Sequence, residues 1–156
     1  MMAPAADERE LVFTMTLSAS RANVYRACTE PELLKQWFAP KPLTTPVVEL
    51  DVRRGGDNFV VVRMPDGQEM AHRRVYLEVV PNERLVFTDA YVSAWVPSAK
   101  PFMTFILTFE DEGQGTRYTA RAQHWSAADR EAHEKMGFHS GWEQRARQLE
   151  AVAAGL

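Results

Sequence analysis

Apolar and polar positions alternate from residue 10 to 17, with Leu11, Phe13, Met15 and Leu17 on one face, the period-two mark of a half-buried strand. Ser20 then stands where an N-cap is wanted, because its hydroxyl can accept from the first turn of a short helix carrying Val24 and Cys28. Thr29 followed by Glu32 reads as a capping box with Pro31 in the first turn, opening a second helix over 30–38. Beyond Pro46 the pattern predicts strands at 47–53, 58–64, 70–80, 84–92, 102–110 and 116–125, separated by Gly55-Gly56, Pro65-Asp66-Gly67, Pro81-Asn82 and Gly113-Gln114-Gly115. Short strands with turns between them specify antiparallel hairpins rather than βαβ units. The last stretch, 126–154, is helical. Phe138, Trp142, Ala146, Leu149 and Ala153 form one apolar stripe, while Ala128, Ala132 and Met136 form another, so a break is expected near Gly137.

Seven strands, two small helices after the first and one long C-terminal helix make an α+β layout in which one sheet face is covered by one helix. Strand parity assigns side chains to that face. In the last strand Tyr118, Ala120, Ala122 and His124 share it. Met103, Phe105, Leu107 and Phe109 are assigned inward, as are Leu85, Phe87, Asp89 and Tyr91, and Phe59, Val61 and Arg63. Ala120 and Ala122 are small where bulk is usual, which leaves room. The aromatics either fill that room as core or line a cavity for a small apolar ligand.

The chain has 156 residues, a size that buries a substantial core without help from metals or disulfides. A formal net charge of −3, with no basic block, argues against coating nucleic acid or an anionic membrane. No apolar run is long enough for a signal peptide or a membrane span, so a cytoplasmic protein is expected, with a flexible segment 1–8 and one domain over 9–154. The lone Cys28 reads as buried and inert. His72, His124, His133 and His139 lack the spacing of a metal site, and Gly55-Gly56, followed by another strand rather than a helix, is a hairpin and not a phosphate loop, so neither a metal nor a nucleotide cofactor is expected.

The order of elements resembles the START-like, or helix-grip, fold. Within it the chain is similar to the heat-shock protein 90 ATPase activator homologue branch of the SRPBCC proteins. The residues that carry this are ASRANVY at 19–25, TEPEL at 29–33, QWFAP at 36–40, DVRRGG at 51–56, MPDG at 64–67, VVPNERLVFT at 79–88 and MGFHSGW at 136–142. The resemblance spans about residue 9 to residue 153 and implies a pocket between a curved sheet and the C-terminal helix. It supplies no catalytic residue to carry over, since a shared fold does not select a function.

These readings converge on a binding protein for a small apolar or amphipathic molecule. Phe59, Phe87, Tyr91, Met103, Phe105, Phe138 and Trp142 are its expected walls, and Arg63, Asp89 and His124 the polar groups that orient the ligand. One alternative is a cyclase- or hydrolase-like enzyme in the same cavity, which requires Asp89 and His124 to meet so that the carboxylate raises the basicity of the imidazole. Another, resembling the co-chaperone, is a protein–protein domain. It needs an exposed apolar patch, for which the loop carrying Trp95, Val96, Pro97 and Phe102 is the candidate; that loop equally fits a lid or a homodimer contact.

Overall fold

The computed structural model describes residues 6–156. Of the segment expected to be flexible, residues 1–5 lie outside the described residues, and Ala6–Arg9 forms one helical turn, α1. Strand β1 (Glu10–Leu17) leads to α2 (Arg21–Thr29) and α3 (Pro31–Leu34), and these to β2 (Thr44–Leu50), β3 (Asp57–Arg63), β4 (Glu69–Val80) and β5 (Arg84–Thr88). A small hairpin, β6 (Tyr91–Ser93) and β7 (Val96–Pro97), precedes β8 (Met103–Glu112), β9 (Gly115–His124), α4 (Ala127–Lys135) and α5 (Phe138–Ala154). Seven strands make one antiparallel sheet in the order β1-β9-β8-β5-β4-β3-β2. Every neighbouring pair but β1–β9 is consecutive along the sheet's path, so the sheet is a meander closed at one edge by the first strand.

Local chemistry accounts for most boundaries. Ser20 caps α2, its hydroxyl accepting from the Asn23 amide at 3.2 Å. The expected capping box does not form: α2 runs through Thr29, whose hydroxyl donates back to the Tyr25 carbonyl at 2.8 Å, and the extended Glu30 precedes α3. Gly137, at φ 92°, separates α4 from α5, a left-handed conformation that is strained for any side chain. Gly115 is required sterically, since a Cβ there would run into the Leu17 carbonyl of β1.

The core lies between one sheet face and α2, α3 and α5. From α5 it takes Phe138, Trp142, Ala146, Leu149 and Ala153, as the helical stripe predicts. Leu11 and Leu17 of β1, Phe105, Leu107 and Phe109 of β8, and Tyr118, Ala120 and Ala122 of β9 meet that helix face. The segment that follows α3 is clamped to α5 through its backbone. Gln148 Nε2 donates to the Trp37 and Ala39 carbonyls, both at 2.9 Å, and Arg145 Nε donates to the Phe38 carbonyl at 2.7 Å.

Two parity expectations and one helical stripe are corrected. Phe59, Val61 and Arg63 do share a face, but it is the one away from α5; Asn58, Val60 and Val62 point inward. The run 59–62 is apolar on both faces, so hydrophobicity alone does not orient it. Tyr91 leaves the inward series because the sheet strand ends at Thr88 and the chain bends into β6. On α4, Ala128, Ala132 and Met136 are exposed, and His133 is the residue turned toward β9.

Candidate functional site

The side chains of β4 carry the chemistry of the interior. Register pairs Asn58 with Arg74 and Val60 with His72, placing Arg74, His72 and then Tyr76 on the inward face. Arg74 is 6 % exposed, and its guanidinium lies 5.1 Å from the Phe87 ring centroid and 5.5 Å from that of Phe38. From the facing helix, the half-buried Arg145 reaches to 5.4 Å from Phe38 and 5.5 Å from Trp142. Cation–π contact offsets part of the desolvation of each arginine, but it does not replace an opposite charge. Among the described residues neither arginine has a carboxylate within ion-pair distance.

Some of the buried polar atoms without partners belong to residues around one small cavity or to the ring packed against it. They include Arg74 Nε, Asn58 Oδ1, Tyr118 Oη and Trp142 Nε1. Such atoms are uncommon in folded proteins, and each one costs stability. Arg74, Asn58 and Trp142 border a cavity of about 20 Å³ lined also by Cys28, Val60 and Phe87, room for about one water molecule. Ala120 and Ala122 do not line it: both are fully buried in the core cluster that the α5 stripe joins. The room expected beneath the two alanines is therefore absent, and the void lies toward β3 and β5. Burial pushes the Cys28 thiol well above its usual range, which leaves it an unreactive core group.

Arg74 also borders a larger space. Where β4 runs past the end of β5, a cleft of about 290 Å³ opens beneath the 89–102 loop, lined by His72, Arg74, Asp89, Ser98, Lys100 and Met103. Burial first, then the fields of Arg74 and Arg145, hold His72 down to about 4. A wider cleft, about 770 Å³ between the 35–46 segment and Arg63, is open to solvent. Of its cations Lys35, Lys41 and Arg63, Lys35 is paired with Glu32 and Arg63 with Glu69.

The expected site residues are divided by this geometry. Phe87 and Trp142 border the small cavity, Phe105 packs on both at 5.4 Å between ring centroids, and Phe138 packs behind Trp142 at 6.2 Å. Met103 and Asp89 line the cleft. Phe59 lies beneath the Arg73 guanidinium on the opposite sheet face, 4.2 Å from it, and Arg63 is spent on Glu69 at 2.7 Å. Tyr91 stacks edge-on against Trp95, which is 87 % exposed at the hairpin tip with φ 65°.

Asp89 and His124 do not form the pair an acid/base enzyme would need. Asp89 Oδ1 accepts from the Phe102 and Met103 amides at 2.8 and 3.1 Å, so it fixes the start of β8. His124, 2 % exposed, has both ring nitrogens engaged: Nδ1 donates to the Arg9 carbonyl at 2.9 Å, which leaves Nε2 to accept from His133 Nδ1 at 2.7 Å. Desolvation lowers both imidazoles, His133 to about 4, the proximity of His124 adding to its shift. The Phe102 ring packs on the pair, 5.4 Å from His124 and 5.5 Å from His133 between ring centroids. Sequence reasoning missed this contact, and it missed Arg74, Arg145 and His72.

A curved antiparallel sheet gripping a C-terminal helix, with two short helices after the first strand, is the helix-grip fold. The chain belongs to the Activator of Hsp90 ATPase homolog 1-like protein family, which matches residues 18–154. Among solved structures it is similar to a protein of Nitrosomonas europaea, at 37% identity over 96% of both chains with a TM-score of 0.90. A protein of Chromobacterium violaceum is 28% identical over 94% of this chain and 97% of its own, with a TM-score of 0.75. One of Mycobacterium smegmatis, 24% identical over 94% and 91%, shares the fold with a TM-score of 0.79. No curated protein matches the chain. Among the described residues no helix is long and apolar enough to cross a membrane.

Proposed function

We propose that this protein is a cytoplasmic binding protein for a small amphipathic molecule, held in the cleft beneath the 89–102 loop where it meets, at Arg74, the interior between the sheet and α5. Phe87, Phe105, Met103 and Trp142 would supply the apolar walls, with Phe138 supporting Trp142 and Asp89 shaping the mouth. The observation that carries the reading is the set of buried, unpartnered polar atoms on Asn58, Arg74 and Trp142 around the small cavity, with Arg74 also lining the 290 Å³ cleft. A sheet and helix selected only for stability would place apolar groups or satisfied pairs at those positions. A mostly apolar concavity with a few converging polar groups is how small molecules are recognised.

Native mass spectrometry of gently purified protein, set against the same sample after denaturation, tests the reading. A reproducible small-molecule mass that is lost on denaturation is expected. A clean mass for the bare chain, together with no binding of either naphthyl probe described below, would overturn it.

A further inference from the structure

We infer that the ligand is an organic anion, an acid with an aromatic or alicyclic body, whose charged group is received by Arg74 and Arg145. The inference rests on the binding reading above and narrows its ligand class.

The charges inside the fold are unbalanced. The inward faces of β4 and α5 present two charged groups, Arg74 and Arg145, whose fields help to keep the neighbouring His72 neutral. The acid whose field reaches Arg74 is Asp89, beyond ion-pair distance and with one oxygen committed to two backbone amides. This excess of positive charge sits inside a chain whose overall charge is −3. Burial pushes Arg74 down only to about 10, so it stays protonated near neutrality. A protonated guanidinium that is nine-tenths buried and has a free Nε–H is an unfinished interaction.

What completes it follows from geometry. The Nε edge of a guanidinium presents parallel N–H groups that match a carboxylate, or an oxygen pair of a sulfonate or phosphate. Arg74 packs against the aromatic rings of Phe38 and Phe87 and lines the 290 Å³ cleft. That volume stands at the small end of ligand sites. An anionic head against Arg74, with a compact ring body extending past Met103, uses both features. Trp142, whose indole N–H has no partner, borders the small cavity that Arg74 also lines. A cationic ligand would meet two arginines. A neutral one would leave Arg74 as unpaired as it is in the free protein.

The test is calorimetric titration with 2-naphthoate and with 2-naphthamide, which share a shape and differ in charge, while the Trp142 indole N–H resonance reports the location. The naphthoate should bind roughly tenfold or more tightly than the amide, the scale of one charge-assisted hydrogen-bonded pair. Arg74→Met should remove that preference and change amide affinity by less than about threefold, and Arg145→Met should reduce it. Equal binding of the two probes would overturn the anion inference and leave the binding reading standing. A preference for the acid that survives in both variants would also overturn the inference. Binding of neither probe would overturn the anion inference, and would overturn the binding reading too only if the native mass is that of the bare chain.

Discussion

The guanidinium groups of Arg74 and Arg145 approach one ring, that of Phe38, to 5.5 and 5.4 Å from its centroid, one from the sheet and the other from the helix. Phe38 is held there because α5 hydrogen-bonds the carbonyls of residues 37–39. Two like charges converging on one aromatic group repel one another, so the arrangement costs stability unless something else requires it. Arg74→Met should therefore unfold at a urea midpoint no lower than that of the parent. The apolar side chain recovers burial while forfeiting cation–π contacts of about 1 kcal/mol each. A loss of more than about 3 kcal/mol would mean that the charge is satisfied in the free protein, since that is the penalty of breaking a real buried pair.

The four tryptophans divide evenly by exposure: Trp37 at 2 % and Trp142 at 3 %, against Trp95 at 87 % and Trp125 at 68 %. Iodide should quench only part of the native emission. The double variant Trp95→Phe, Trp125→Phe should resist quenching, emit at shorter wavelength and keep the parent's stability, because neither ring contributes to the core. Strong quenching of the double variant would mean that the interior around Trp142 is open to solvent.

At Ala120 and Ala122 the small side chains are a packing requirement. Each is fully buried, Ala120 facing Leu107 and Phe13 across its neighbouring strands and Ala122 facing Phe105 and Leu11. Ala120→Leu should destabilise by roughly 1–3 kcal/mol through overpacking, read from the denaturation midpoint at constant m-value. A neutral result would restore the idea of a void beneath the helix at that point.

Much of the fold was legible because local signals agreed with it. The stripe from Phe138 to Ala153, the break at Gly137, the alternation in β1 and β9 and the turn residues all specify the same layout. The site was less legible for an identifiable reason. In β4 the apolar Val75 and Leu77 alternate against Arg74 and Tyr76, so hydrophobicity favours the wrong inward face, and a register shift between Tyr76 and Glu78 returns Val79 to the core. Arg145 follows the stripe residue Trp142 by three positions, and no periodicity in the sequence shows the Phe38 segment lying against it. In β3 a run apolar on both sides hides which face Phe59 and Arg63 take. The His124–His133 contact depends on the angle at which α4 crosses the end of β9, which no periodicity encodes.

That histidine pair makes stability depend on pH in a defined direction. His124 Nδ1 is committed to the Arg9 carbonyl, and its Nε2 accepts from His133, an arrangement made by two neutral rings. Both are lowered by burial, His133 to about 4, and His72 is held to about 4 as well. In the unfolded chain each titrates near its ordinary value of about 6.5, so between about 4 and 6.5 the unfolded state binds more protons than the folded state. Stability should therefore fall as pH is lowered through that window, by on the order of 2 kcal/mol for His133 after allowance for its partial exposure. His133→Gln removes one of the titrating groups. At pH 7 the variant should be less stable by about 1 kcal/mol, for the hydrogen bond lost to His124. Its stability should then decline less steeply than the parent's, so that the two denaturation curves converge as the pH approaches 5. Equilibrium urea unfolding at intervals from about pH 7.5 to about pH 4.5, roughly one unit above the unfolded value to two below it, measures both slopes. Parallel curves across it would show that His133 takes up its proton in the folded protein as freely as in the unfolded chain.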